Sequence, residues 1–266
     1  MKLTFLGTGT SHGVPPLDCI ISDFKRCHKN VCRRSFTDPK HARTRSSILI
    51  QQNGKSILVD VSSDFRLQAI RQNIQTIDAV LITHSHADHI GGIPDIRSYT
   101  THSPVDMYGS SESIRSIRKT FSYAFSSQVL PGGGVPNINT IEIHSPFSLF
   151  GTTVTPVAVT HGNLLGCLGY VVGTVGYLPD VKSIAPSEKE KLYGLDLLIL
   201  DCLNDGREHA THLTLEQSVK LARELAPKRC YFIHMSHLID YETDRAVLHP
   251  WMEFAYDGLN IELSNP

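Results

Sequence analysis

The sequence predicts one α/β domain made of two packed sheets with helices outside. Short apolar β-type runs recur along the whole chain. Helical spacing is rarer and comes late in each half. No long linker or repeat divides the chain, so residues 1–266 are read as a single unit with ample length for a core.

The elements follow in order. KLTFLG at 2–7 is the first strand. Residues 46–61, SSILIQQNGKSILVDV, read as a hairpin because Asn53-Gly54 supplies the turn. SSDFRLQAIRQN at 62–73 has helix spacing, and AVLIT at 79–83 is a strand. VDMYG at 105–109 precedes a helical stretch at 111–125. Further strands are expected at 139–144, 152–161, 167–173, 175–180 and 195–202. The last helix, 214–226, opens with a Thr-x-x-Gln capping box, and RCYFIHM at 229–235 closes the series. PGGGVPN at 131–137 is a connecting loop. GTGTSHG at 7–13 fails the spacing of a dinucleotide fingerprint, and Pro15-Pro16 stand where its helix would begin.

Composition narrows the function classes. Hydrophobic residues make up 41% and charged residues 19%, an ordinary globular balance. A formal net charge of −1 gives no global basic field for nucleic acid. No apolar run approaches the ~18–20 residues of a membrane helix. The apolar part of the N-terminus is too short for a signal peptide, so the expected location is cytoplasmic. Six cysteines at this length do not make a disulfide scaffold, and in a cytoplasmic protein clustered cysteines more often bind metal.

The unusual count is histidine, at 14. THSHADH places His84, His86, Asp88 and His89 directly after an apolar run. His84 and His86 are two apart, so in extended backbone both rings point to one side. Asp88 and His89 lie past the bend and can face a neighbouring point. Two pairs of ligands so close describe a two-metal site, whose centres typically sit about 3.5–4 Å apart. Three more candidates stand at the ends of β runs: His161 closes TPVAVTH, Asp180 closes VGYLPD, and His234 follows CYFI. Their shared strand-end placement points to one rim.

The motif and its order along the chain resemble the metallo-β-lactamase superfamily. The likeness narrows to the phosphoribosyl cyclic phosphate phosphodiesterase subgroup through LGTGTSHGVP, the cysteines after it, DPKHARTRSSILI, HADHIGGIPDIR, ATHLTLEQS and IHMSH. It implies an αββα sandwich of two mixed sheets with metals at one edge. His84, His86 and His161 would hold one divalent ion. Asp88, His89 and His234 would hold the other, with Asp180 bridging and Asp60 orienting ligands. One departure is Pro179, where the subgroup carries Ser or Thr before the aspartate. His212, in ATHLTLEQS, would be the general acid, although Thr211 to Thr214 also reads as a plain helix cap.

A further metal is expected. Cys19, Cys27 and Cys32 lie in DCIISDFKRCHKNVC, and Cys-x4-Cys falls in the looser range of zinc spacings. The resemblance supplies a fourth ligand at His237, with His28 as a competitor, and implies an insertion after Cys19. Such a zinc would be structural. Cys167, Cys202 and Cys230 lie in apolar strands and read as core residues.

These parts suit an anionic diester. Two divalent ions bring four positive charges; two carboxylates and a hydroxide remove three, leaving about one. The ions, manganese or zinc with iron as a third candidate, lower the pKa of bound water and supply a nucleophile. Arg43, Arg45 and Arg97 are candidates for a substrate phosphate. The expected substrate is a small cyclic phosphate or nucleotide-like phosphodiester, with no membrane or nucleic-acid partner, and a homodimer is compatible with this reading. The alternatives are a thioesterase or lactamase on the same fold, a non-catalytic cofactor-assembly protein, and an endonuclease trimming RNA tails.

Overall fold

The computed structural model describes residues 1–126 and 134–263. The first sheet gathers β1 (Lys2–Gly7), β2 (Ser47–Gln52), β3 (Lys55–Val59), β4 (Ala79–Leu81), β5 (Val105–Gly109) and β6 (Ile138–Glu142). The second holds β7 (Phe147–Leu149), β8 (Thr152–Ala158), β9 (Leu168–Val172), β10 (Val175–Leu178), β11 (Leu197–Asp201), β12 (Arg229–Ile233) and β13 (Met252–Phe254). β14 (Asn260–Glu262) returns to pair antiparallel with β1. The orders are β14-β1-β2-β3-β4-β5-β6 and β13-β12-β11-β10-β9-β8-β7, and both sheets are mixed. The turn between β2 and β3 sets Asn53 and Gly54 at φ 54° and 73°, the left-handed pair that a two-residue hairpin needs.

The inner faces meet in one apolar layer. Phe5, Ile48, Val59 and Leu81 of the first sheet pack with Val154, Tyr170, Tyr177 and Ile199 of the second. The central strand β11 is buried along its whole length, as a parallel strand covered on both faces must be. Seven helices, α1 (Leu17–Ile21), α2 (Val31–Arg34), α3 (Phe65–Arg71), α4 (Ala87–Ile90), α5 (Ser111–Thr120), α6 (Pro186–Lys189) and α7 (Leu215–Leu225), are found among the described residues. α3 and α5 cover the outer face of the first sheet through Phe65 and Ile117. α7 covers the second through Leu215, Ala222 and Leu225, where each buried leucine contributes about 1.5–3 kcal/mol. The layers therefore run helix, sheet, sheet, helix.

The start of α7 bears on the site. The Thr214 side chain accepts from the Gln217 amide, and Gln217 reaches back to the Thr214 amide. This capping box, worth about 1 kcal/mol, fixes the loop that carries His212. The expected helices at 62–73 and 111–125 are shorter, at Phe65–Arg71 and Ser111–Thr120, the latter followed by a 3-10 turn. The glycine-rich connection at 131–137 lies partly outside the described residues. Gly7 and Gly9 serve close packing: a Cβ on Gly7 would run into the Arg45 carbonyl. Among the described residues, no helix is long and apolar enough to cross a membrane.

Candidate metal centre

β3 and β4 run parallel, and so do β10, β11 and β12. β8 is antiparallel to β9, which is antiparallel to β10, so β8 shares that direction. The carboxyl ends of these strands therefore open on one edge. The chain leaves them through Asp60, His84, His161, Asp180, Asp201 and His234. Asp60 and His234 adopt left-handed backbone at φ 61° and 60°. That strain, of order 1–3 kcal/mol each, is tolerated where a site needs the side chain aimed away from its strand.

The donors converge. His84, His86, His161 and Asp180 offer ligand atoms all within 4.8 Å of one another, and so do Asp88, His89 and His234. Asp180 belongs to both neighbourhoods. Its Oδ2 lies 3.8 Å from His84 Nε2, 3.6 Å from His161 Nε2 and 3.4 Å from His234 Nε2, and its Oδ1 lies 3.2 Å from His89 Nε2. Asp88 Oδ2 is 3.2 Å from His89 Nε2 and 3.7 Å from His234 Nε2. Burial would raise the Asp180 carboxyl, but His234, His89 and His84 outweigh it and hold the group well below the carboxylate range. Pro179 has not displaced it.

The surroundings orient these rings. Asp60, fully buried, accepts from the Thr83 amide at 2.8 Å and the Thr83 hydroxyl, and its Oδ2 pairs with His89 Nδ1 at 2.8 Å. The Thr211 carbonyl accepts from His161 Nδ1 at 3.0 Å. In each case the inner nitrogen is taken and the outer one faces the donors.

The residues fit divalent ions. Among the described residues, His89 Nε2, Asp180 Oδ1 and His234 Nε2 are buried polar atoms with no hydrogen-bond partner. Such atoms cost roughly 1–3 kcal/mol each when left unpaired. They face one another with carboxylate and imidazole donors of the kind zinc, manganese and iron take. Divalent ions held among these donors would satisfy them.

His212 stands at the edge of the cluster and shares a further donor group with Asp180 and His234. Its Nδ1 donates to Asp201 Oδ2 at 2.9 Å, and its Nε2 faces Asp180 at 3.8 Å. Burial would lower this imidazole, but the Asp201 charge and hydrogen bond outweigh it and raise the pKa to about 9. Asp201 also accepts from the Val181 amide at 3.0 Å and is fully buried. Sequence reasoning missed Asp201, although a carboxylate closing an apolar run was the same signal that marked Asp180.

None of the three arginines expected to meet substrate lines the cavities beside this centre. Arg43 is buried and donates to the carbonyls of Ser236 and Ile239 at 2.6 and 2.8 Å, under the ring of Tyr241. It braces the loop after His234. Arg45 is paired with Asp64 at 3.0 Å and donates to the Ser11 carbonyl. Arg97 reaches the Gly134 carbonyl at 3.5 Å.

Near the centre, Cys19, Cys32 and His237 place their ligand atoms within 4.8 Å of one another. The Cys32 amide donates to Cys27 Sγ at 3.3 Å, and the Cys27 thiol points to the His237 carbonyl at 4.0 Å. All three cysteines are buried, whereas His28 is exposed and outside this group. The geometry thus favours His237 over His28 as the companion of the thiols. Cys32→Ser is expected to release one zinc per chain and to cost ~3 kcal/mol, lowering Tm by roughly 6–12 °C. Unchanged zinc and melting temperature in Cys19→Ser, Cys27→Ser and Cys32→Ser together would remove the staple.

A family model described as Beta-lactamase superfamily domain matches residues 55–235, and the chain belongs to that superfamily. Within it, the chain is similar to a solved diphosphatase from the PhnP family. That structure is 36% identical, covers 99% of this chain and 98% of its own, and has a TM-score of 0.86. A curated Octanoyltransferase of Porphyromonas gingivalis is 35% identical over 260 residues, which is 97% of this chain and 51% of that protein. The chain therefore spans about half the length of that relative. A Ribonuclease Z of Bradyrhizobium sp. is 36% identical over 66 residues, 24% of this chain and 22% of that protein. The fold implies divalent-metal binding, and these likenesses support a metal-dependent hydrolase.

Proposed function

We propose that the chain hydrolyses a small cyclic phosphate or nucleotide-like phosphodiester at a centre of two divalent metals. His84, His86 and His161 would hold one ion, Asp88, His89 and His234 the other, and Asp180 would touch both. The observation that carries this reading is His212, an imidazole held by the buried Asp201 carboxylate with its Nε2 3.8 Å from Asp180 at the edge of the donor cluster. The likeness to a PhnP-family diphosphatase over nearly the whole chain supports phosphorus as the reacting atom.

When bound, the metals would supply positive charge and a water of lowered pKa. The chain's own residues do the rest. Asp60 and the Thr211 carbonyl keep the ligand rings in one tautomer. Asp201 accepts the His212 Nδ1 proton and stabilises the imidazolium, whose second proton, on Nε2 facing the centre, can pass to a departing alkoxide. Divalent ions nearby would draw the His212 pKa back toward neutrality, where a general acid works best.

One relative favours a second reading. The name of the Porphyromonas gingivalis protein speaks of acyl transfer, but half of that protein lies outside the match. The likeness to a Ribonuclease Z, though short, also leaves nucleic acid as a substrate to be tested. The discriminating experiment is a panel with manganese, zinc and iron reconstitution: bis-nitrophenyl phosphate, 2′,3′-cyclic nucleotides, a precursor RNA and an octanoyl thioester. Turnover of the small diesters without the thioester is expected. Efficient thioester turnover with no diester cleavage under any of the three metals would overturn the assignment.

A further inference from the structure

Two cavities flank the donor cluster. One, of about 240 Å³, is lined by His86, Asp88, His161 and Asp180. The other, of about 300 Å³, runs toward the cysteine staple past Asn204, His209 and Ser236. His212 and His234 line both, so His212 stands at the junction. A general acid protonates the oxygen that leaves. The part of the substrate that carries the leaving oxygen, which in a cyclic phosphate stays attached through the second ester bond, then belongs on the far side of His212 from the ligand cluster, in the larger cavity.

We propose that this larger cavity binds the leaving group, and that Asn204 and His209 recognise it as neutral and hydroxyl-rich, such as a nucleoside or sugar without a second phosphate. The inference rests on the phosphodiesterase reading above and deepens it.

Asn204 is 6% exposed. Its Oδ1 accepts from the Gly206 amide at 3.1 Å, which settles the orientation of the side-chain amide. The NH2 group has no hydrogen-bond partner among the described residues and remains free to donate. His209 Nδ1 accepts from the Thr211 amide at 3.3 Å and faces the Thr211 hydroxyl at 3.1 Å. Its proton is thereby placed on Nε2, on a ring 5.3 Å from that of His212. Both residues thus offer N–H groups to hydroxyl or carbonyl oxygens. Thr10, Ser11 and Ser236 add hydroxyl-bearing side chains to the same wall.

The lining offers no free cation to a second phosphate. Among the described residues lining the cavity there is no lysine or arginine, and the carboxylate of Asp18 already takes the Arg26 guanidinium, at 3.4 Å. A phosphate monoester would bring about −1.5 to −2 charges beside that carboxylate. The guanidinium forks that usually receive phosphate are engaged: Arg43 on backbone carbonyls, Arg45 on Asp64 and the Ser11 carbonyl, and Arg26 on Asp18. The cavity volume lies at the small end for ligand sites and suits a group of nucleoside size.

The test is steady-state kinetics of the full chain reconstituted with manganese. The substrates are adenosine 2′,3′-cyclic phosphate, its 5′-phosphorylated counterpart and bis-nitrophenyl phosphate. The wild type is expected to favour the 5′-hydroxyl compound over the 5′-phosphorylated one by about tenfold or more in kcat/KM. His209→Ala and Asn204→Ala should each raise KM for the cyclic nucleotide by about threefold to tenfold, the worth of one neutral hydrogen bond. The rise should be smaller for bis-nitrophenyl phosphate, and kcat and metal content should hold. His209→Gln, which keeps an N–H donor, should recover most of the loss. If Asn204→Ala does not fold, the exposed His209 still carries the test. A preference for the 5′-phosphorylated compound, or an unchanged KM in His209→Ala, would overturn the inference and leave the phosphodiesterase reading intact. Cleavage of none of the three would overturn both.

Discussion

Asp180→Ala is expected to abolish phosphodiester hydrolysis and to lower active-site metal content. Its carboxylate lies within 3.2–3.8 Å of His84, His89, His161 and His234. Its loss would leave those four imidazoles crowded without the anion that balances two cations. His84→Ala and Asp88→Ala should act in the same direction, each mainly through one ion. The check is elemental analysis beside turnover for each variant. Retained activity in Asp180→Ala would exclude a bridging carboxylate.

His212→Ala is expected to keep full metal occupancy and lose turnover by roughly 10²–10⁴-fold, the usual worth of a general acid. The loss should shrink for a diester of nitrophenol, whose anion leaves without a proton. Equal losses on good and poor leaving groups would remove the role. Asp201→Asn supplies a pH signature. Asp201 raises the His212 pKa by its charge and hydrogen bond, working against burial. A raised base stays protonated to higher pH, so activity that needs the proton falls as pH rises through that pKa. Removing the charge lowers the pKa, and the alkaline limb of the kcat profile should move to lower pH. A limb that stays in place would separate Asp201 from the acid.

The legible part of this protein is local. His-x-His-x-Asp-His follows one strand, and His161, Asp180 and His234 each come shortly after strands that share one direction and end at one edge. The hairpin at Asn53-Gly54 and the Thr214 capping box were readable for the same reason, since each is decided within four residues. The arginines were not. Arg43 is read as a phosphate ligand in isolation, but its acceptors are backbone carbonyls 193 and 196 residues away. A side chain's partners across such distances leave no mark on its neighbours in sequence. The short strands β7, β13 and β14 escaped because three residues carry no measurable alternation. β14 is held by pairing with β1 at the other end of the chain.

The central claim is a two-metal centre in which both ions are needed. It is tested most directly by titrating metal-free chain, its staple zinc restored, with manganese while following bis-nitrophenyl phosphate hydrolysis and metal per chain. The account predicts full activity only when two further ions are bound. Full activity at one ion would contradict it.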